Sequence, residues 1–161
     1  MTETDDDRTT AAGLFHFAES YRTCAEALMR SPPKSLRFDD PLLFLAYHSL
    51  ELYLKAYLRH HGSSVSDLRT KFLHSLTKAW DAAEARGLKT TKNPRPLFQT
   101  LDADRTLLAH RYIVTGVTAR PDVEELMNFI EEIRFAVFTS LDAGGQPVRH
   151  EDQSENGWAR S

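Results

Sequence analysis

The residues from Asp39 to Gly62, "DDPLLFLAYHSLELYLKAYLRHHG", form an unbroken amphipathic pattern. Asp39 or Asp40 can cap a helix, Pro41 suits the first helical turn, and Gly62 is a stop signal. No Gly or Pro interrupts the pattern, so it predicts one continuous helix of about 20 residues. The predicted apolar stripe consists of Leu43, Tyr47, Leu50, Leu54 and Tyr57 or Leu58.

Other segments show the same three- and four-residue spacing of apolar side chains. The first covers about Thr10 to Met29, and its predicted apolar face is Leu14, Phe17, Tyr21, Ala25 and Leu28. The third covers about Leu68 to Arg86, with Phe72, Leu76, Ala79 or Trp80 and Ala83 on one face.

Two further helices are predicted nearer the C terminus. The fourth begins near Pro96 and fades at "IVTG", whereas the fifth follows "RPD" and ends near Leu141. The apolar face of the fifth is Leu126, Phe129 or Ile130, Ile133, Val137 and Leu141. Amphipathic helices joined by short polar links predict an all-α fold, an up-and-down bundle of four long helices and one shorter helix.

Composition limits the class of protein. A chain of 161 residues is long enough for one core, and 41% hydrophobic with 27% charged residues is typical of soluble domains. A single cysteine, Cys24, excludes an internal disulfide, and no apolar run approaches a membrane span, so we expect a cytoplasmic protein without membrane contacts. The net charge of -3 disfavours a broad electrostatic grip on nucleic acid.

Both ends of the chain contain little that can be buried. Residues 1–9 carry an acidic cluster, and residues 143–161 combine Gly, Pro and polar side chains. We therefore predict a disordered acidic N terminus, a helical domain over residues 10–142, and a flexible C-terminal tail.

The segment "DRTLLAHRYIVTG" contains residues that suit RNA cleavage. Cleavage through the 2′-hydroxyl requires a proton acceptor, a proton donor and positive charge at the phosphate. His110 can transfer protons near neutral pH, Arg105 offers a planar fork for phosphate, and Tyr112 can stack on a base. On a straight helix His110 lies about 140° from Arg105, so joint action requires a distorted helix or a second subunit. An ordinary amphipathic helix end, with a snorkelling arginine, is the alternative.

"RTLLAHRY" resembles the signature of the HEPN superfamily, whose ribonuclease members carry an arginine and a histidine separated by four to six residues. The branch that pairs with minimal nucleotidyltransferases as toxin and antitoxin also has a tyrosine two residues after the histidine, as Tyr112 is here. "LAYHSLELYLKAYLRHHG" resembles the second HEPN helix, and "FLHSLTKAWDAAEARGL" resembles the next one. The similarity covers roughly residues 10–142. Thr106 stands where ribonuclease members usually have Asn or Asp.

The resemblance implies a metal-independent endoribonuclease, without a cofactor, that acts as a homodimer. Arg105 and His110 would be catalytic, and Tyr112 would bind RNA, with Thr106 and Glu51 in supporting positions. It also implies a toxin or defence role and a nucleotidyltransferase antitoxin that modifies Tyr112. A different class of function remains open: a noncatalytic module that binds a nucleotide or a partner protein.

Four other polar features have two readings each. Glu51 either orients Arg105 or His110, as the resemblance implies, or forms a solvated intrahelical pair with Lys55. His48 and Glu51 are three residues apart, as in one half of a carboxylate and histidine metal site. The other predicted helices supply no convincing second pair to complete such a site. We expect His74 to have a packing or hydrogen-bonding role, and a catalytic role is the alternative. The basic stretch "RGLKTTKNPRPL" either guides RNA or is a solvated loop.

Overall fold

The computed structural model describes residues 5–34, 39–103 and 121–149. Over these ranges the regular structure is helical and contains no strand, which confirms the predicted all-α class. The helices are α1 (Asp5–Arg8), α2 (Ala11–Arg30), α3 (Asp39–His60), α4 (Val65–Thr70), α5 (Leu76–Glu84), α6 (Arg95–Ala103) and α7 (Val123–Ala143). None of these helices is long and apolar enough to cross a membrane.

Helix α3 lies at the centre and packs against α2, α5 and α7. Its predicted apolar stripe is buried throughout, as is the predicted face of α7. Helix α2 runs antiparallel to α3, since Phe15 contacts Tyr53 while Tyr21, further along α2, contacts the earlier His48. Helices α5 and α6 form an antiparallel pair, in which Trp80 lies against Phe98.

The predicted apolar face of α2 is wrong at one position. Phe17 is 66% exposed, and the buried face instead includes Phe15, Glu19 and Arg22. The pattern failed because two charged residues, Glu19 and Arg22, lie in the interior. Side chains from other helices form hydrogen bonds with this buried pair. The Tyr53 hydroxyl donates to Glu19, and Arg134 Nε donates to the same carboxylate at 2.7 Å.

The third predicted helix is also wrong, because the chain folds as two helices, α4 and α5, with a break between them. Leu73 has φ 48°, a left-handed conformation that an α-helix does not contain. The Ser75 hydroxyl then caps α5 by accepting from the backbone N–H of Lys78 at 3.2 Å. The break places His74 in the α4–α5 connection, outside any helix.

Parts of both chain ends make specific contacts. Asp6 in α1 accepts a hydrogen bond from the backbone N–H of Val65 at 2.8 Å, and its carbonyl accepts from Arg59 Nη2 at 2.6 Å. Beyond α7, the carbonyl of Pro147 lies 3.2 Å from His16 Nε2, and Val148 packs against the core. Residues 1–4 and 150–161 of the predicted terminal segments lie outside the described residues.

Candidate functional site

A buried carboxylate on α3 is the centre of the candidate site. The Glu51 side chain is 4% exposed, and Lys55, one turn later, donates to its Oε1 at 2.5 Å. His74 Nδ1 lies 3.1 Å from Oε1 and 3.4 Å from Oε2, and His48 Nδ1 lies 3.6 Å from Oε2. One carboxylate therefore contacts an ammonium group and two imidazole rings from two parts of the fold.

Opposing effects act on the Glu51 carboxyl. Burial alone would raise its pKa, because a low-dielectric surrounding disfavours the charged form. The interactions with His48, with the Lys55 ammonium and with His74 outweigh burial and lower the pKa to about 2. Glu51 is therefore a carboxylate at neutral pH, able to accept hydrogen bonds from its neighbours.

The backbone around His74 is held from α3. The Tyr47 hydroxyl, one helical turn before Glu51, donates to the carbonyl of His74. Burial, together with the charges of Asp102 and Glu51, raises the pKa of Tyr47, so its hydroxyl keeps the proton that it donates. Tyr47 thus fixes the main chain of His74 while Glu51 contacts its ring.

Helix α6 holds the same connection from the other side. Asp102 Oδ2 accepts from the Ser75 hydroxyl at 2.8 Å and from the backbone N–H of Thr77 at 3.0 Å. Its Oδ1 accepts from the backbone N–H of Leu76 at 2.8 Å. These bonds satisfy amides at the start of α5 that have no partner within the helix. They also bring the last turn of α6 beside His74.

The imidazole of His74 is accessible although its partner is not. Its side chain is 65% exposed, whereas Lys55 is 14% exposed and Glu51 is almost completely covered. No described residue forms a hydrogen bond with His74 Nε2. A ring that contacts a buried carboxylate through one nitrogen and presents its other edge outward is suited to proton transfer.

Aromatic rings flank this cluster along α3. The His48 ring stacks on Phe44 at a centroid distance of 5.8 Å, and Tyr21 from α2 contacts it edge-on at 4.4 Å. Phe44, His48 and Glu51 follow one another at helical spacing, so they share one face of α3. The carboxylate cluster therefore continues into a partly exposed aromatic surface.

The predicted site residues are only partly within the described structure. Arg105, Thr106, His110 and Tyr112 all lie outside the described residues. Glu51 is described, and it does form the intrahelical ion pair with Lys55. That pair is buried rather than solvated, which departs from one of the two sequence interpretations.

The sequence alone does not identify His74 as a candidate site residue. A hydrogen-bonding function was expected for it, and the structure adds the partner and the exposure of the ring. The available signal was Ser75, a preferred N-cap residue, directly after it. That signal locates a helix start, but it does not show that the start faces Glu51.

The basic stretch between α5 and α6 borders a cleft of about 370 Å³. Lys89 and Lys92 line the cleft, but Arg95 is paired with Asp81 and Glu84 at 2.9 and 2.5 Å. Part of the positive charge that the sequence shows is therefore compensated locally. Elsewhere, no three His, Cys, Asp or Glu side chains of the described ranges gather as a metal site.

A second buried cluster of charges joins α2, α3 and α7. Glu19 accepts from Tyr53 on α3, from Arg134 on α7 and from Arg22 Nη2 at 3.2 Å. Burial would raise the pKa of Glu19, but these hydrogen bonds and the arginine charges lower it. Arg134 also donates to Glu131 at 2.8 Å. Because Glu19, Arg22, Tyr53 and Arg134 are buried, the cluster serves to fix the three helices.

No protein-family model, curated protein or solved structure matches the chain. The functional proposal therefore rests on the chemistry of the described side chains and on the sequence motif.

Proposed function

We propose that this protein is a metal-independent endoribonuclease of the HEPN type, in which Arg105 and His110 act beside the Glu51 and His74 cluster. His110 transfers a proton, Arg105 stabilises charge on the phosphate, and Tyr112 contacts RNA. Thr106 is a supporting polar residue. Two copies of the chain form the active homodimer in the cytoplasm, and a nucleotidyltransferase antitoxin controls the enzyme as part of a toxin or defence system.

One observation carries the proposal: the Asp102 carboxylate binds the start of α5 directly after His74. Arg105 follows Asp102 by only three residues. Three residues of chain reach at most about 11 Å, so the motif begins at the end of α6 that lies next to the cluster. The short distance along the chain supports a site in which Arg105 acts near Glu51 and His74.

The cluster has the properties that such chemistry requires. Ribonuclease chemistry without a metal ion depends on side chains that move protons, and an exposed histidine lies against a buried carboxylate here. Lys55 forms an ion pair with the same carboxylate, which reduces the repulsion between Glu51 and an RNA phosphate. The aromatic face formed by Phe44, His48 and Tyr21 offers neighbouring rings for unpaired bases.

Expression and RNA cleavage test the proposal together. Wild type, Arg105→Ala and His110→Ala are expressed, growth is scored, and purified proteins are incubated with total RNA in EDTA. We expect the wild type to arrest growth and cleave RNA, and each variant to lose cleavage by about a hundredfold or more. Arg30→Ala and His61→Ala serve as matched controls, since both residues are exposed and neither forms a described hydrogen bond or ion pair with Glu51 or His74.

Intact RNA at high concentrations of wild-type protein would contradict the nuclease proposal. A wild type that binds RNA, or a nucleotide, without cutting it would instead identify the noncatalytic module. Light scattering tests the homodimer separately, because a strictly monomeric protein removes the second motif copy from the site.

A further inference from the structure

We infer that His74 is a second catalytic histidine of this site, which transfers a proton to or from the RNA while Glu51 positions its ring. The inference rests on the proposed function, because it assigns a further residue to the same reaction. In each protomer of the proposed homodimer, His74 would be a proton-transfer group in addition to His110.

The reaction requires two proton transfers. The 2′-oxygen attacks phosphorus as its proton passes to a base, and the bond from phosphorus to the 5′-oxygen breaks as that oxygen receives a proton from an acid. The products are a 2′,3′-cyclic phosphate and a 5′-hydroxyl, and no other reactant is consumed. One histidine suffices for one of these transfers, and the motif supplies only His110 in each chain.

The contact between His74 and Glu51 engages Nδ1 and leaves the side chain mostly exposed. Nδ1 lies 3.1 Å from the buried carboxylate, the side chain as a whole is 65% exposed, and no described residue forms a hydrogen bond with Nε2. A carboxylate that binds Nδ1 fixes the orientation of an imidazole and selects the tautomer whose Nε2 is able to accept a proton. Glu51 is therefore a positioning residue, and His74 is the group that meets RNA.

The main chain at His74 is fixed as firmly as the ring. Tyr47 donates to its carbonyl, and the next three residues of the chain bind Asp102 through the Ser75 hydroxyl and two backbone N–H groups. Leu73, directly before it, adopts φ 48°. The bonds that cap α5 thus also hold the main chain beside His74, and proton transfer depends on such fixed geometry.

The charges that face His74 come from two helices. On α3, Glu51 contacts the His74 ring, Lys55 and His48 contact Glu51, and the Tyr47 hydroxyl donates to the His74 carbonyl. On α6, Asp102 binds the residues that follow His74. Lys55 offsets the charge of Glu51, and the amides of α5 offset that of Asp102. The two carboxylates near His74 are therefore each bound by described donor groups, which reduces their repulsion of an RNA phosphate.

Two substitutions separate proton transfer from the structural contact. In His74→Asn the amide nitrogen takes the place of Nδ1, so the hydrogen bond to Glu51 is retained without a titratable group. In His74→Gln the amide reaches the position of Nε2 instead. His61→Asn is the matched control, because this exposed histidine lies at the other end of α3 and contacts Ser140.

The measurement is the pH dependence of cleavage of a fluorescein-labelled RNA oligonucleotide that contains a site first mapped in total RNA. We expect a bell-shaped profile for wild type and for His61→Asn. Both His74 variants should cleave a hundred to ten thousand times more slowly, within the usual contribution of about 10²–10⁴ for one proton-transfer group, and should lose one limb of the profile. Circular dichroism should show unchanged helix content.

Three results would overturn the inference. If His74→Asn cleaves within threefold of wild type, His74 does not transfer a proton. If the variants raise KM alone and keep both limbs, His74 only binds RNA. If wild type does not cleave RNA, both the proposed function and this inference are wrong. If wild type cleaves RNA and requires His110 but not His74, only this inference is wrong.

Discussion

Nδ1 of His74 lies 3.1 Å from the carboxylate of Glu51, so a mostly exposed ring contacts one of the most deeply buried acidic groups described in the protein. The two residues are 23 positions apart and meet because the chain breaks between α4 and α5. This contact affects both the stability of the fold and the chemistry of the candidate site.

Acid should weaken the fold partly through Glu51. Its pKa is about 2 in the folded protein and near its ordinary value of 4.5 in the unfolded chain, so the unfolded state binds more protons between these values. The stabilisation is complete above about pH 5 and is lost as the pH falls towards 2, an effect of roughly 3 kcal/mol.

Glu51→Gln removes this dependence. In urea titrations, the difference in free energy of unfolding between wild type and Glu51→Gln should decrease by roughly 3 kcal/mol from about pH 6 to about pH 2. Glu124→Gln, at an exposed carboxyl, is the control. A gap that stays constant with pH would show that Glu51 is not stabilised as a carboxylate.

The buried cluster at Glu19 should be essential to stability. Glu19→Leu leaves Arg22 and Arg134 buried without their shared carboxylate, which should cost about 3–5 kcal/mol in urea unfolding. Tyr53→Phe removes a single hydrogen bond and should cost about 1–2 kcal/mol. Arg95→Met, at a surface ion pair, should be much less disruptive. Equal effects of Glu19→Leu and Arg95→Met would contradict a structural role for the cluster.

Asp102 and Asp122 allow stability and function to be separated. Both carboxylates cap helices, since Asp122 accepts from the backbone N–H of Glu125 at 2.9 Å, but only Asp102 lies beside His74. Each Asp→Ala change should lower stability by about 1–2 kcal/mol. Only Asp102→Ala should also slow RNA cleavage when both are assayed below their unfolding temperatures. Equal cleavage by the two variants would argue against Asp102 as the link to the site.

The conformation of Leu73 predicts opposite effects for two substitutions. Asn tolerates a left-handed backbone, whereas a β-branched residue does not, and Leu73 is more than half exposed, so little burial is lost. Thermal unfolding should rank Leu73→Asn above wild type and Leu73→Val below it, with a spread of roughly 1–2 kcal/mol. The reverse order would show that the connection is not strained at this residue.

The spacing of apolar residues predicted the buried faces of those helices in which apolar side chains occupy the predicted positions. The stripe of α3 and the face of α7 follow from apolar spacing, because every position predicted for them is occupied by a buried apolar or aromatic side chain. The face of α2 could not be predicted, since Glu19 and Arg22 are buried only because residues 53 and 134 reach them. Burial of a charge depends on partners that local spacing does not show.

The candidate site shows the same limit. Sequence identified Glu51 and left its environment open, because His74 comes from another part of the chain. The break at Leu73 and the cap at Ser75 rely on Tyr47 and Asp102, each more than 20 residues away. A helical pattern through residues 68–86 therefore predicted one helix where long-range hydrogen bonds hold two.

The chemical ends of cleaved RNA test the central claim most directly. Wild type and His110→Ala are incubated in EDTA with an RNA oligonucleotide that contains a mapped site, and the products are examined by mass spectrometry. The account predicts 2′,3′-cyclic phosphate and 5′-hydroxyl ends from wild type and intact RNA from the variant. Uncut RNA from wild type, or ends with a 5′-phosphate, would contradict it.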